Sequence, residues 1–503
     1  METTAFAAVS LAAIWAFHRH GLRWWTAALF ALASQFRPEG HLLFALAVAV
    51  SGMKFLWAEG QRSRGAGEKE SKRARVTSHL SLLTSHFLPP LLTYALLCAP
   101  YALFSLGLTG EPLPNTFYAK AKLESGYGWR YLQQTLWLHW SDNPVAFLLM
   151  VLGLWPLAKK QPLIPIWFAL PFGMAFTVAV LWHHGRYTLP LIPLVMVAAG
   201  VAAVWLVAQR SKGAGEQGSR GLLLSSLFSL LLLLGASWHF QNWAVMLGQN
   251  TNEINEIDAA LGRWLAENTP PDALLAVDDI GAITYLSERR IVDMNGLVSP
   301  ELWAAVRQPE RWRRNAELVR LLSLAEQPPD YVVSFPLWRW EIITNPVAAE
   351  EIYHVRTETH TMIFQQDAYV HRVTWPYLHA ASPTHPTNAT FGQAITLLGY
   401  DWTAEGETLH LTLVWQSEAA VDTNYDIFVH VLNEAGDIIA QADQQPVASL
   451  APTSVWQPHD LIRDPYTLPW PAEATAIRLG LYNRDTGARL ALPDGVEWVV
   501  ISE

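Results

Sequence analysis

Three polar islands interrupt otherwise apolar stretches of this chain, and each carries a cation. They are Arg37-Pro38-Glu39-Gly40, the loop running from Glu111 to Lys120, and His183-His184-Gly185-Arg186-Tyr187. A guanidinium fork pairs bidentately with phosphate oxygens, so Arg37 and Arg186 together suit a phosphate or diphosphate held at a headgroup-level boundary. Lys120 and Lys122 either add to that site or stay solvated. Among the carboxylates on the same side, Glu2 and Glu39 are the best candidates to line such a site. Each residue also has a structural reading. Arg37 can snorkel from a span end, Glu39 can pair with Arg37 or favour a helix start, and Tyr187 fits an aromatic belt. His183 and His184 lack a His or Cys partner at zinc-ligand spacing.

These islands need apolar helices to hold them. Runs free of charge cover Thr4–Phe17, Trp24–Phe36, His41–Val50, Leu80–Leu106, Val145–Leu157, Pro162–Trp182, Leu189–Ala208 and Leu222–Phe240. A bilayer crossing takes about 20 residues, which the fourth, sixth, seventh and eighth runs reach or nearly reach. The first two and the fifth are short enough to be tilted, interfacial or broken. The expectation is about eight spans. Alternate loops carry 13 and 5 Lys/Arg, and the richer set belongs in the cytoplasm. All three islands, Met1 and everything after Phe240 then lie on the other side. The basic loop Gly60–Ser78 reads as a solvated cytoplasmic linker beside anionic lipid.

Charge divides the chain in the same place. Residues through Gln241 hold 19 Lys/Arg and 9 Asp/Glu, and the remainder holds 15 and 35. With 16% charged and 51% hydrophobic residues, neither a wholly soluble nor a disordered protein fits. The acidic second half lacks the basic face that nucleic acid requires. A single cysteine, Cys98, allows no intrachain disulfide.

Arg-Pro-Glu-Gly closing a short span, Pro-Asn-Thr-Phe-Tyr-Ala-Lys in a long outer loop and Gly-Arg-Tyr opening a Leu/Pro-rich span resemble the multi-spanning GT-C glycosyltransferases. The resemblance covers roughly residues 1–300 and is nearest to bacterial mannosyl- and arabinofuranosyltransferase-like members. It implies an integral protein of the bacterial plasma membrane, its C-terminal half extracytoplasmic. It also implies sugar transfer from a polyprenyl-phosphate donor to a glycan or lipid acceptor. Arg37, Asn115, Tyr118, Lys120, Arg186 and Tyr187 would contact substrate, and Glu2 and Glu39 would line the acidic site. In this family the principal base lies in the first outer loop. Met1-Glu2-Thr3 is similar to a stretch beyond that loop, so the expectation is that the base lies upstream, which leaves the activity of this chain alone open. Some relatives use a divalent cation, for which no ligand set is visible here, and no other cofactor is evident.

The domain expectation is a helical membrane part over 1–242, an α/β part over 243–380 and a β-sandwich over 384–503. Helical spacing over Ile254–Leu265 stops before Asn268-Thr269-Pro270-Pro271. Leu274–Val277, Ile291–Asp293 and Tyr331–Phe335 read as buried strands around the helical stretch Ser299–Ala325, an α/β pattern. Asp278, Asp279 and Asp293 sit at strand ends, where they either line a cleft or close turns and cap helices. Beyond a linker at Ser382–Thr387, alternation over Leu409–Trp415, Ile427–Leu432 and Ile477–Tyr482 predicts a sandwich. Trp415, Tyr425, Phe428, Trp456 and Tyr482 fit its core better than a sugar platform. Asn388-Ala389-Thr390 has the glycosylation pattern. Two rival readings are a non-catalytic membrane-anchored glycan-binding protein and a transporter of lipid-linked saccharide. Eight spans exceed what an anchor needs, and no inverted repeat supports the transporter.

Overall fold

The computed structural model describes residues 2–65, 72–113, 118, 127–160, 163–165, 167, 168, 188, 191–211, 217–363 and 365–502. The chain forms two compact units, Met1–Met246 and Leu247–Glu503.

The first unit is helical: α1 (Glu2–His20), α2 (Trp24–Phe36), α3 (Glu39–Gly65), α4 (Lys72–Thr109), α5 (Tyr127–Asp142), α6 (Pro144–Lys160), α7 (Ile192–Ser211) and α8 (Gln217–Ile254), the last running on into the second unit. Gly21 ends α1 at φ 72°, its N–H returning to the Phe17 carbonyl at 2.9 Å. Only glycine takes that left-handed position without strain. Two residues on, α2 starts with the Arg23 N–H on Thr26 Oγ1 at 2.7 Å. Phe6, Phe17, Phe30, Leu43 and Phe44 bury the contact among α1, α2 and α3.

Three described helical stretches are long and apolar enough to cross a membrane: Glu39–Ala58, Thr84–Thr109 and Ser229–Asn268. A fourth arises if Trp129–Asp142 and Pro144–Lys160, bent by 116°, count together. The expected eight are therefore not reached among the described residues. α2 has 13 residues and falls short by length, and most of the run Pro162–Trp182 lies outside the described residues. The α4 helix holds Pro89, Pro90 and Pro100 in its interior, which a helix in lipid tolerates when neighbouring groups satisfy the freed carbonyls.

The second unit continues α8 through a π-turn (Asn255–Ala259) into α9 (Ala260–Asn268). Strands β1 (Leu274–Val277), β2 (Arg290–Asp293), β3 (Tyr331–Ser334), β4 (Ala349–Arg356) and β5 (Asp367–Val373) form one sheet in the order β2-β1-β3-β5-β4. β1 pairs in parallel with both β2 and β3, while β5 is antiparallel to β3 and β4. The crossovers are α10 (Ala282–Ser287), then α11 (Trp303–Val306) and α12 (Arg311–Ser323), and α13 (Pro336–Ile343) follows β3. Both β1 and β3 are buried along their whole length, as the unbroken apolar runs predicted for parallel strands covered on two faces.

Two antiparallel sheets follow. One has the order β11-β10-β13-β14 and the other β6-β12-β9-β8-β7. They are built from β6 (Tyr377–Leu378), β7 (His385–Phe391), β8 (Ile395–Glu405), β9 (Thr408–Ser417), β10 (Asp426–Asn433), β11 (Ile438–Gln444), β12 (Leu461–Pro469), β13 (Ala474–Tyr482) and β14 (Val499–Ile501). Alternate residues such as Leu411, Leu413, Trp415, Ile427, Val429, Ile477 and Leu479 meet in one core. The expected linker Ser382–Thr387 differs from this arrangement, because its last three residues open the edge strand β7. An edge tolerates Pro386, since one side of its backbone needs no ladder partner.

Candidate functional site

The Arg-Pro-Glu-Gly island is an elbow. Arg37 leaves α2 in extended geometry, φ −152° and ψ 140°, as the residue before a proline prefers. Glu39 then opens α3, and the Gly40 N–H returns to the Arg37 carbonyl at 3.0 Å. A Cβ on Gly40 would lie 2.5 Å from Ser34 N, 2.6 Å from Ser34 Cα and 2.8 Å from the Ala33 carbonyl carbon. Glycine is what lets the two helices approach. Gly40→Ala is expected to cost about 1–3 kcal/mol through forced backbone displacement. Thermal unfolding of the purified full chain in detergent checks this. Gly52→Ala, where a Cβ meets nothing within 4 Å, should leave the midpoint unchanged or slightly raised.

The elbow collects polar groups from four helices. Arg37 donates to Glu39 Oε1 through Nη2 at 2.7 Å and Nε at 3.1 Å, and Nη1 lies 3.4 Å from Thr3 Oγ1 of α1. Arg37 is 6% exposed, with Phe6 beneath its guanidinium at 6.0 Å. One turn away, Tyr94 of α4 joins Ser34 Oγ at 2.7 Å and His41 Nδ1 at 2.6 Å through its hydroxyl. Its ring stacks on Phe44 at 3.7 Å. The Glu39 carboxylate occupies the Nε/Nη2 edge of this buried fork and fixes its plane.

The structure thus brings Arg37 and Glu39 together and adds Thr3, Ser34, His41 and Tyr94. Their one visible signal is that a polar residue interrupts an apolar run. Glu2 begins α1 immediately before Thr3, and its side chain lies outside the described residues. So do Asn115, Lys120, Lys122, His183, His184, Arg186 and Tyr187, so their proximity to Arg37 is not described. Tyr118 hydrogen-bonds the Glu111 side chain and the Leu113 backbone. Asp142 accepts the Trp243 indole N–H at 2.9 Å.

The acidic strand ends of the second unit resolve separately. Asp293 closes a turn by accepting the N–H groups of Asn295 at 2.8 Å, Leu297 at 2.5 Å and Val298 at 2.9 Å. Asp279 accepts from Gly281 at 3.3 Å. Asp278 is enclosed, with Oδ1 lying 2.6 Å from Arg339 Nη2 and Oδ2 taking the Ser334 hydroxyl. Burial pushes Asp278 up to about 6, against the opposing pull of Arg339 and Ser334. No three His, Cys, Asp or Glu side chains gather to hold a metal among the described residues. Trp415 and Trp456 are fully buried, while Phe428 lies under Arg489 at 5.1 Å.

A family model described as a domain of unknown function (DUF8728) matches residues 245–386. The match takes in the five-stranded sheet and its helices and stops at the start of β7. No curated protein matches the chain.

Proposed function

We propose that the chain is a membrane glycosyltransferase of the GT-C type, moving a sugar from a polyprenyl-phosphate donor to a glycan or lipid acceptor on the non-cytoplasmic side. One observation carries this reading: a buried, oriented guanidinium at an elbow between helices, one of which is long and apolar enough to cross a bilayer. An ionisable group in that position is costly unless it serves a ligand or a partner. Arg37 has its partner in Glu39, which holds the Nε/Nη2 edge of the fork that a lipid-linked phosphate would take over in this reading. Glu39 then acts as a positioning residue for Arg37. Thr3 brings the first turn of α1 to the elbow, and Glu2 lines the acidic site with Glu39 in this reading. Arg186 and Tyr187 complete the donor site in this reading, with Asn115, Tyr118 and Lys120 as further substrate contacts.

The test is transfer of radiolabelled mannose or pentose from the corresponding polyprenyl phosphates by the full chain in proteoliposomes. Arg37→Ala and Arg186→Ala should each lower turnover on the order of 100-fold, the scale of losing one preorganised charge donor. Glu39→Gln should lower it less and mainly raise KM for the donor, because the fork loses its orientation but keeps its charge. Absence of transfer from every polyprenyl-phosphate donor, or full activity in Arg37→Ala, would overturn the proposal.

A further inference from the structure

The loops at one end of the five-stranded sheet expose an unusual set of large apolar side chains. Tyr285 follows β1, Val298 follows β2, Leu337 and Trp340 follow β3, and Met362 lies between β4 and β5. Their exposures run from 36% for Met362 to 82% for Tyr285. Val298, Leu337 and Met362 lie in the segments at the carboxyl-terminal edge of the parallel strands, and Tyr285 and Trp340 lie one turn into the helices that leave it. The β4–β5 loop belongs there because Tyr369, near the start of β5, pairs with Ser334 at the end of β3.

The helix that brings the chain into this unit arrives at the same edge. A Cβ on Gly262 of α9 would stand 3.1 Å from the Ala282 and Ile283 carbonyls, just past the end of β1. The far end of α9 meets the beginning of β2 instead, where Arg289 donates to the Ala266 and Thr269 carbonyls at 2.7 and 2.8 Å. α9 therefore runs opposite to β1, and its upstream end lies at the carboxyl edge. Glu253, within α8, fixes that arrival by accepting the Thr361 and Met362 N–H groups at 2.7 Å each. The stretch containing α9 and the end of α8, Ser229–Asn268, is long and apolar enough to cross a bilayer. The first turn of α12 lies at the same edge, with Trp312 exposed between Arg311 and Arg313, which pair with Glu341 at 2.9 Å and Glu317 at 3.9 Å. Asn315 of α12 donates to the Trp338 carbonyl at 3.2 Å, which places that turn beside α13.

We propose that this edge docks on the surface of a lipid bilayer, with Tyr285, Val298, Leu337, Trp340 and Met362 seated at headgroup level. Aromatic side chains favour that layer, where the ring is apolar and the polar tip stays wet. Lipid is the occupant because the apolar helix that would carry the chain out of a bilayer enters the unit at this end. The proposal rests on the membrane-spanning reading of that stretch and is independent of sugar transfer.

The test uses the full chain in proteoliposomes of phosphatidylcholine and phosphatidylglycerol. In a Cys98→Ser background, a nitrobenzoxadiazole label is attached at Leu337→Cys, Trp340→Cys or, as an exposed control in the β8–β9 hairpin, Glu405→Cys. Iodide is present on both sides of the vesicle. Its quenching constant at positions 337 and 340 should be about five-fold lower than at 405, and headgroup-level nitroxide lipid should quench the same two labels. Equal iodide quenching at all three positions would overturn the proposal. Shielding from iodide without nitroxide quenching would mean that protein covers this face, and would overturn it too. Neither readout measures transfer, so failure here and failure of the transferase reading are distinguishable.

Discussion

Replacing Arg339 with leucine is expected to destabilise the β-containing unit by about 3–5 kcal/mol, the cost of leaving one member of a buried ion pair without its counterion. Asp278 and Arg339 have side chains 0% and 3% exposed, so water cannot stand in for the lost partner. The guanidinium also holds the edge of the sheet together. Its Nη2 donates to the Met294 carbonyl at 2.8 Å and to Asn295 Oδ1 at 3.1 Å, tying the end of β2 to the ends of β1 and β3. Chemical denaturation of the full chain in detergent, followed by a probe in the second unit, should show the loss as a lowered midpoint. Adding Asp278→Asn to Arg339→Leu should recover part of it, because the remaining amide can keep the Ser334 hydrogen bond without a charge. A loss under 1 kcal/mol in the single variant, or no recovery in the double, would mean that the pair is not the fastening described here.

Arg339 shows where reading the sequence stopped. It lies in Trp338-Arg339-Trp340 within a stretch that resembles an ordinary surface helix. It turns inward because the backbone kinks there, at φ −128° and ψ 34°. No local pattern announces such a kink. Strands β1 and β3 were legible because unbroken apolar runs end at Asp278-Asp279 and before Pro336. Arg37 and Glu39 stood out because charge is rare among their apolar neighbours. Tyr94, Ser34 and His41 did not, since single hydroxyl and imidazole groups are common in apolar helices. Their meeting spans 60 residues from Ser34 and 53 from His41. The span count suffered from a similar limit. Hydropathy locates apolar runs, but whether Val145–Leu157 crosses alone or shares a bent pair with α5 depends on tertiary packing.

Asp464 provides the second large effect, and its sign is opposite to that of an ordinary surface carboxylate. It sits on β12 with no exposure, accepting the Val447 N–H at 2.7 Å on Oδ1 and the Tyr466 hydroxyl at 2.9 Å on Oδ2. Burial pushes it up to about 7, although both of those hydrogen bonds favour the charged form. Val447, Ala448 and Ser449 all have positive φ, 54°, 48° and 74°, a geometry that a β-branched residue avoids. Asp464 from one side and Asn345, donating to the Val447 carbonyl at 2.7 Å, from the other hold that turn in place. The folded state therefore binds a proton that the unfolded chain releases near its ordinary carboxylate range. Stability is greatest below about pH 4 for this group and falls as pH rises toward about 7, by on the order of 4 kcal/mol. Burial shifts Asp278 in the same direction, so it steepens the lower part of the slope. Asp464→Asn keeps the acceptor for the Val447 N–H, reverses the second bond so that its amide Nδ2 donates to the Tyr466 hydroxyl oxygen, and removes the titration. Its unfolding midpoint should match the parent chain near pH 4.5 and exceed it increasingly up to pH 7.5, measured by thermal unfolding in detergent. Parallel pH profiles for the two proteins would show that Asp464 is charged in the fold. Asp464→Ala separates the anchor from the proton: it should be less stable than Asp464→Asn at every pH, because the strained turn at Val447 then loses its acceptor.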